Sequence, residues 1–196
     1  LMKTHTLADV AVLIDKVNKY DADIINLGSE DDEENETDDL QIEKAEKALG
    51  LKFTSSYKVF LKKYGGGEIG GEEIFSIYGD CVGIPAGDIV YQNVLDRKRG
   101  FATPEQLIVC DADFDETFYF DYTQFRDGEC PLYVKLALGD CEYYASNFYE
   151  FLCKRIIVHV GDEILDGDQP IEKPETPPTP QLIPFYKRFW KKLWRR

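Results

Sequence analysis

Apolar residues recur at helical spacing in three stretches of the first seventy residues. Leu7, Val10, Ala11, Ile14 and Val17 predict a helix over about residues 6–20. Ile42, Ala45 and Leu49 predict a second, with Asp38 and Gln41 placed as a capping box and Gly50 as its left-handed stop. Tyr57, Phe60, Leu61 and Tyr64 line one face of a third, leaving Lys58, Lys62 and Lys63 in water. Ser55 or Ser56 is available to cap its start, and Gly65-Gly66-Gly67 to end it. This helical pair over residues 41–67 needs a surface to pack on, and the remainder of the chain is organised around it.

That surface is expected from the strand-like runs that follow. Glu72 to Tyr78 reads as a strand ending at Gly79, Ile84-Pro85 opens a turn, and Ile89 to Leu95 reads as a helix carrying Val90, Val94 and Leu95. Leu107–Cys110 is a short apolar run bounded by Pro104 and Asp111. Thr117–Phe120 and Leu132–Leu136 read as successive strands joined by Arg126-Asp127-Gly128-Glu129, a spacing that favours antiparallel neighbours. Ser146 is placed to cap a closing helix with Phe148, Phe151, Leu152 and Ile156 inward. Helices, a meander and a closing helix give an α+β domain with one sheet face covered.

The quoted residues also resemble a family. Ile42-x-x-x-Glu46-x-x-Leu49-Gly50, Tyr57-Lys58-x-Phe60-Leu61 and Gly65-Gly66 are similar to the opening of the SUKH superfamily. Thr54 stands where that family usually has proline. The resemblance continues through Leu107-Ile108-Val109, the strand leading to Asp121, and Phe148-x-x-Phe151-Leu152, covering roughly residues 40–155. The superfamily contains a fungal cell-wall-synthesis regulator and many bacterial immunity proteins, which protect a cell from a cognate toxin. The resemblance therefore implies an α+β SUKH-like domain, a curved antiparallel sheet flanked by helices, that acts by binding. The expected organisation is a domain over residues 1–168, a proline-rich linker over 169–184 and a short amphipathic helix over 185–196.

Charge sharpens the picture of a partner. The net charge is −14, but residues 181–196 hold six basic residues and no acidic one. Residues 1–180 hold 17 basic and 37 acidic residues, a charge of −20. Such a body repels nucleic acid and suits a basic protein, the cognate toxin under the family reading, with nucleases among the candidate toxins. Partner contacts are expected from Glu68, Glu72 and Glu73 and from Asp111, Asp113, Asp115, Glu116 and Asp121. Residues 28–39 add eight acidic side chains, read either as a solvated loop or as an acidic arm.

Candidate chemistry is thin by comparison. Gly65-x-Gly67-x-x-Gly70 follows a helix instead of a strand, and Glu68 would oppose a pyrophosphate, so the glycines read as turn residues. Asp111-x-Asp113-x-Asp115 offers Glu116 and Tyr122 where a calcium loop needs glycine and glutamate, so no metal is expected. Cys81, Cys110, Cys130, Cys141 and Cys153 form no metal spacing and read as reduced thiols of a cytoplasmic protein. Neither His5 nor His159 has a recognisable nucleophile beside it, so neither an enzyme nor a cofactor is expected. Leu1 before Met2 reads as a remnant, and no secretory leader or membrane span is expected.

The tail is the remaining signal. Six prolines within residues 170–184 read as an extended spacer. Beyond it, Phe185, Tyr186, Phe189, Trp190, Leu193 and Trp194 fall on one half of a helical wheel. Lys187, Arg188, Lys191, Lys192, Arg195 and Arg196 fall on the other. That segregation suits an anionic membrane surface, which would make the chain a peripheral scaffold or regulator at the inner membrane face. Docking back onto its own acidic domain and an appended peptide are the alternatives.

Overall fold

The computed structural model describes residues 4–28, 37–78 and 87–160. Within them, capping chemistry sets where helices begin. Helix α1 (Leu7–Tyr20) opens on a capping box between Thr6 and Asp9. After a short strand β1 (Ile25–Leu27), α2 (Asp39–Leu49) opens on the expected box between Asp38 and Gln41 and closes on Gly50 at φ 70°. Helix α3 (Ser55–Tyr64) is capped by Thr54, whose hydroxyl accepts the Tyr57 N–H, and not by Ser55 or Ser56.

Ser56 has a different task. Its N–H and hydroxyl both donate to Glu129, at 2.6 and 2.7 Å, and the hydroxyl accepts the Phe148 N–H at 3.1 Å. One side chain thus ties the start of α3 to the closing helix and to the loop between two strands. A carboxylate at a helix N-terminus is also favoured by the orphan N–H groups there.

Strands β2 (Gly67–Ile69) and β3 (Glu72–Ile74) form a hairpin on Gly70-Gly71. The strand expected to reach Tyr78 stops at Ile74. Past Phe75, whose N–H donates to Val109, the Ser76 N–H donates to Gly87 and its carbonyl accepts from Ile89, leading the chain into α4 (Ile89–Arg99). There the inward positions are Ile89 and Asn93, while Val94 is 48% exposed, contrary to the apolar reading of that stretch. Asn93 is buried because its amide completes the backbone of the next strand, donating to the Ile89 and Ile108 carbonyls and accepting the Ile108 N–H at 2.7 Å.

Strands β4 (Gln106–Asp111), β5 (Thr117–Asp121), β6 (Leu132–Lys135) and β7 (Cys141–Ala145) complete the sheet, and α5 (Phe148–Val160) closes the domain. The seven strands among the described residues lie in chain order, β1 to β7, each antiparallel to the next. Helices α1 and α3 pack on α5, which lies over the sheet from β2 to β7, whereas α4 packs on β4 and α2. The face beneath α5 carries Ile69, Ile74, Leu107, Phe118, Phe120 and Leu132, all at most 1% exposed.

Tyr57 sits at the centre of this core. Its ring meets Phe148 edge-on at 4.9 Å and Phe53 at 5.2 Å, and its hydroxyl donates to the Phe75 carbonyl at 2.6 Å. Phe60 packs edge-on against Phe148 at 5.0 Å and is fully buried. The aromatic stripe of α3 is therefore structural. Phe60→Ala is expected to cost ~3–5 kcal/mol in unfolding free energy, read by denaturant titration. Tyr57→Phe, which strands the Phe75 carbonyl, is expected to cost ~1–3 kcal/mol.

Candidate functional site

The acidic residues expected to face a partner divide between the two sides of the sheet. Alternation along β3 decides the division, since Glu72 and Ile74 point to the helix-covered face and Glu73 to the other. Glu72 is 6% exposed and is not on the acidic surface expected of it. The Arg155 guanidinium from α5 grips it, Nε to Oε2 at 2.9 Å and Nη2 to Oε1, and His159 Nε2 stands 3.2 Å from Oε2. Burial alone would raise the Glu72 pKa, but His159 and Arg155 hold it below the ordinary value. Arg155 also lies over the Phe118 ring at 4.7 Å. A Cβ on Gly70, at φ 60°, would collide with the His159 ring, so the hairpin glycine makes room for this cluster.

On the outer face, Glu68 and Glu73 stand directly opposite each other in the β2–β3 ladder. Two like charges at this spacing repel. Glu73 is half-buried against Gly87 and accepts a hydrogen bond from the Tyr78 hydroxyl at 3.1 Å. Burial pushes its carboxyl up to about 7, with Glu68 adding to the rise and Tyr78 opposing it.

The second acidic group surrounds the β4–β5 connection. Asp111 ends β4 opposite Thr117, and a 3-10 turn over Asp113–Asp115 carries the chain to Glu116. The Ala112 N–H donates to the Glu116 carbonyl at 2.9 Å, which closes the loop, and Asp115 adopts φ 60°. Asp113 and Asp115 are exposed and Glu116 is half-buried. Although much of Asp111 is exposed, packing about its carboxyl raises its pKa to about 6, with Asp96 contributing and Thr117 opposing. Asp121 lies at the far end of β5. Burial works against its charge, but hydrogen bonds from Thr123 and Gln124 keep its pKa below the ordinary value.

The composition reading missed the feature that joins these positions. In register across three strands, Tyr119 pairs with Tyr133 and Tyr133 with Tyr143 on the outer face. The first pair is stacked at 6.2 Å and the second edge-on at 5.9 Å. The Gln124 amide donates to both the Asp121 carboxylate, at 2.7 Å, and the Tyr133 hydroxyl, at 3.0 Å. Beside this row, Thr117, Lys135 and Cys141 align, with the Lys135 ammonium 3.4 Å from the Phe101 carbonyl. The signal was Glu142-Tyr143-Tyr144, which lacks the apolar alternation of a half-buried strand because β7 is an edge.

The tail residues 185–196, the proline-rich linker and the acidic run over 29–36 lie outside the described residues. Among the described residues, no helix is long and apolar enough to cross a membrane.

Adjacent glutamates with opposite surroundings give opposite expectations. Glu72→Ala leaves Arg155 buried and unpaired and is expected to cost ~3–5 kcal/mol near neutral pH. Glu73 binds its proton more tightly folded than unfolded, so its contribution to stability is complete below about 4.5 and is lost as pH rises through about 7. Glu73→Gln is therefore expected to raise the melting temperature near pH ~8 and to change little near pH ~4. Thermal melts at the two pH values check both signs.

The same elements carry the chain's likeness to known proteins. No curated protein matches the chain. A family model described as SUKH_6, SMI1-KNR4 cell-wall, matches residues 39–152, from the first residue of α2 into α5. With more than half of its length under that match, the chain belongs to the SUKH superfamily, in its SMI1-KNR4 cell-wall family.

Proposed function

We propose that this chain is an immunity-type binding protein, which neutralises a cognate bacterial toxin by covering the toxin's basic surface with its own acidic one. The superfamily includes toxin immunity proteins, and that membership supports the class. One observation carries the choice of surface. Glu68, Glu73, Asp111, Asp113, Asp115 and Glu116 make no ion pair with a described residue, whereas Glu46, Glu72 and Glu150 are each satisfied by lysine or arginine. Carboxylates without a salt bridge to a described residue, massed at one end of a sheet, attract a cationic partner and break no such salt bridge to receive it.

The reaction is association and nothing more. Long-range attraction steers a basic protein to the acidic end of the sheet. Approaching cations then stabilise the ionised form of Glu73 and Asp111, so binding below neutral pH releases protons. A nuclease toxin would offer the complementary groove, since its substrate is a polyanion.

The test of the reading is co-expression with the product of the gene immediately upstream. Relief of that product's growth arrest by this chain, with a complex surviving purification, supports immunity. Unrelieved arrest with no complex overturns it. Within such a complex, replacing Asp111, Asp113 and Asp115 by Asn and Glu116 by Gln is expected to slow association ~10-fold or more at low salt. The difference should shrink as the Debye length falls, which stopped-flow mixing at two ionic strengths measures.

A further inference from the structure

The tyrosine row on the outer face is without an assigned role. Tyr143 is 55% exposed on an edge strand among the described residues, Tyr133 is half-buried beside it, and α4, on that side, packs on β4. The exposed Tyr143 ring and the half-buried Tyr133 ring, in register with a carboxylate alongside, form a surface for a ligand that is aromatic and cationic at once. Asp121 supplies the carboxylate and is joined to the row through Gln124. Such a ligand is present in the chain itself. Residues 185–196 contain five aromatic residues and six basic ones, with no acidic residue.

We infer that this cationic aromatic tail docks on the outer sheet face of its own domain, over Tyr133 and Tyr143 and against Asp121. Reach permits it. From Val160 to Phe185 there are 24 intervening residues, enough at ~3.1 Å each to span about 75 Å. A domain of ~160 residues has a radius of gyration of only ~15 Å. Charge favours it, because the rest of the chain carries −20. So does composition: the tail holds aromatic residues to match the tyrosine rings and basic residues to match the Asp121 carboxylate. The inference is independent of the toxin reading, since it requires no second protein.

The chain supplies its own probe. Its two tryptophans, Trp190 and Trp194, are both in the tail, so intrinsic tryptophan emission reports on the tail alone. Emission of the full chain is compared with that of a synthetic peptide of residues 185–196. The expected result is a blue shift in the full chain at low salt. It should be unchanged by dilution in the micromolar range, because a tether of this kind holds the tail at an effective concentration on the order of mM. Salt at ~1 M, where the Debye length is ~3 Å, should remove part of the shift. Tyr143→Ser with Asp121→Asn should remove most of it, with the melting temperature as the check on folding. Because Tyr143 is largely exposed, the single variant Tyr143→Ser serves if the double variant melts early. Emission equal to that of the free peptide overturns the inference. So does a shift that survives the variants, which would place the tail elsewhere, or one lost on dilution, which would mean docking between copies. A shift seen only with vesicles of anionic phospholipid would likewise overturn it and assign the tail to a membrane.

Discussion

Tyr57 is the constraint on which the domain depends. Its ring is closed in by phenylalanines from α3, α5, β5 and the loop before its own helix, and its hydroxyl is committed to a carbonyl just past β3. A phenol this deep must have a partner, because a stranded hydroxyl would cost a sizeable part of the folding free energy. Desolvation holds its pKa well above the usual tyrosine range, so it stays a donor at any working pH. The position of α3 over the sheet is thereby fixed in both rotation and depth. Through Ser56 and Glu129 the same helix sets where α5 begins.

The carboxylates show why acidity alone was a coarse guide. Glu46 is 3% exposed, yet it accepts the Phe53 N–H at 2.8 Å and pairs with Lys52 and Lys58. It therefore works as a clamp between α2 and α3, which explains why a glutamate belongs in the middle of an apolar helical stripe. Glu72 and Glu129 do similar internal work. The carboxylates left without such internal work include those that emerge on the outer side of the sheet, away from α5. The sign of a side chain's charge is read from its letter, but its availability is read from the face on which it emerges.

Much of this was legible in the sequence because it is local. Helix α2, with its capping box at Asp38 and its stop at Gly50, follows from residues within one turn of each other, as does the stripe of α3. The pairing of β5 with β6 follows from two apolar runs around Asp127-Gly128. What escaped depends on distant partners. Asn93 is buried because a strand fifteen residues later needs its amide. Glu72 is buried because Arg155, 83 residues on, turns toward it. The three-residue β1 and the exposed β7 carry too few apolar positions to announce themselves, and the tyrosine row exists only once β5, β6 and β7 are in register.

The arrangement of strands in chain order has an architectural consequence. Where a sheet contains crossovers, lengthening one connection can force a strand through a different path. Here each connection joins immediate neighbours, so it can grow outward while the ladder keeps its order and register. The entropic cost of such growth is logarithmic, only ~0.6 kcal/mol for each doubling of a flexible loop. The β4–β5 connection bearing Asp113 and Asp115 is a loop of this kind. The fold separates a fixed order of pairing from surface segments whose length and charge are free to be rewritten.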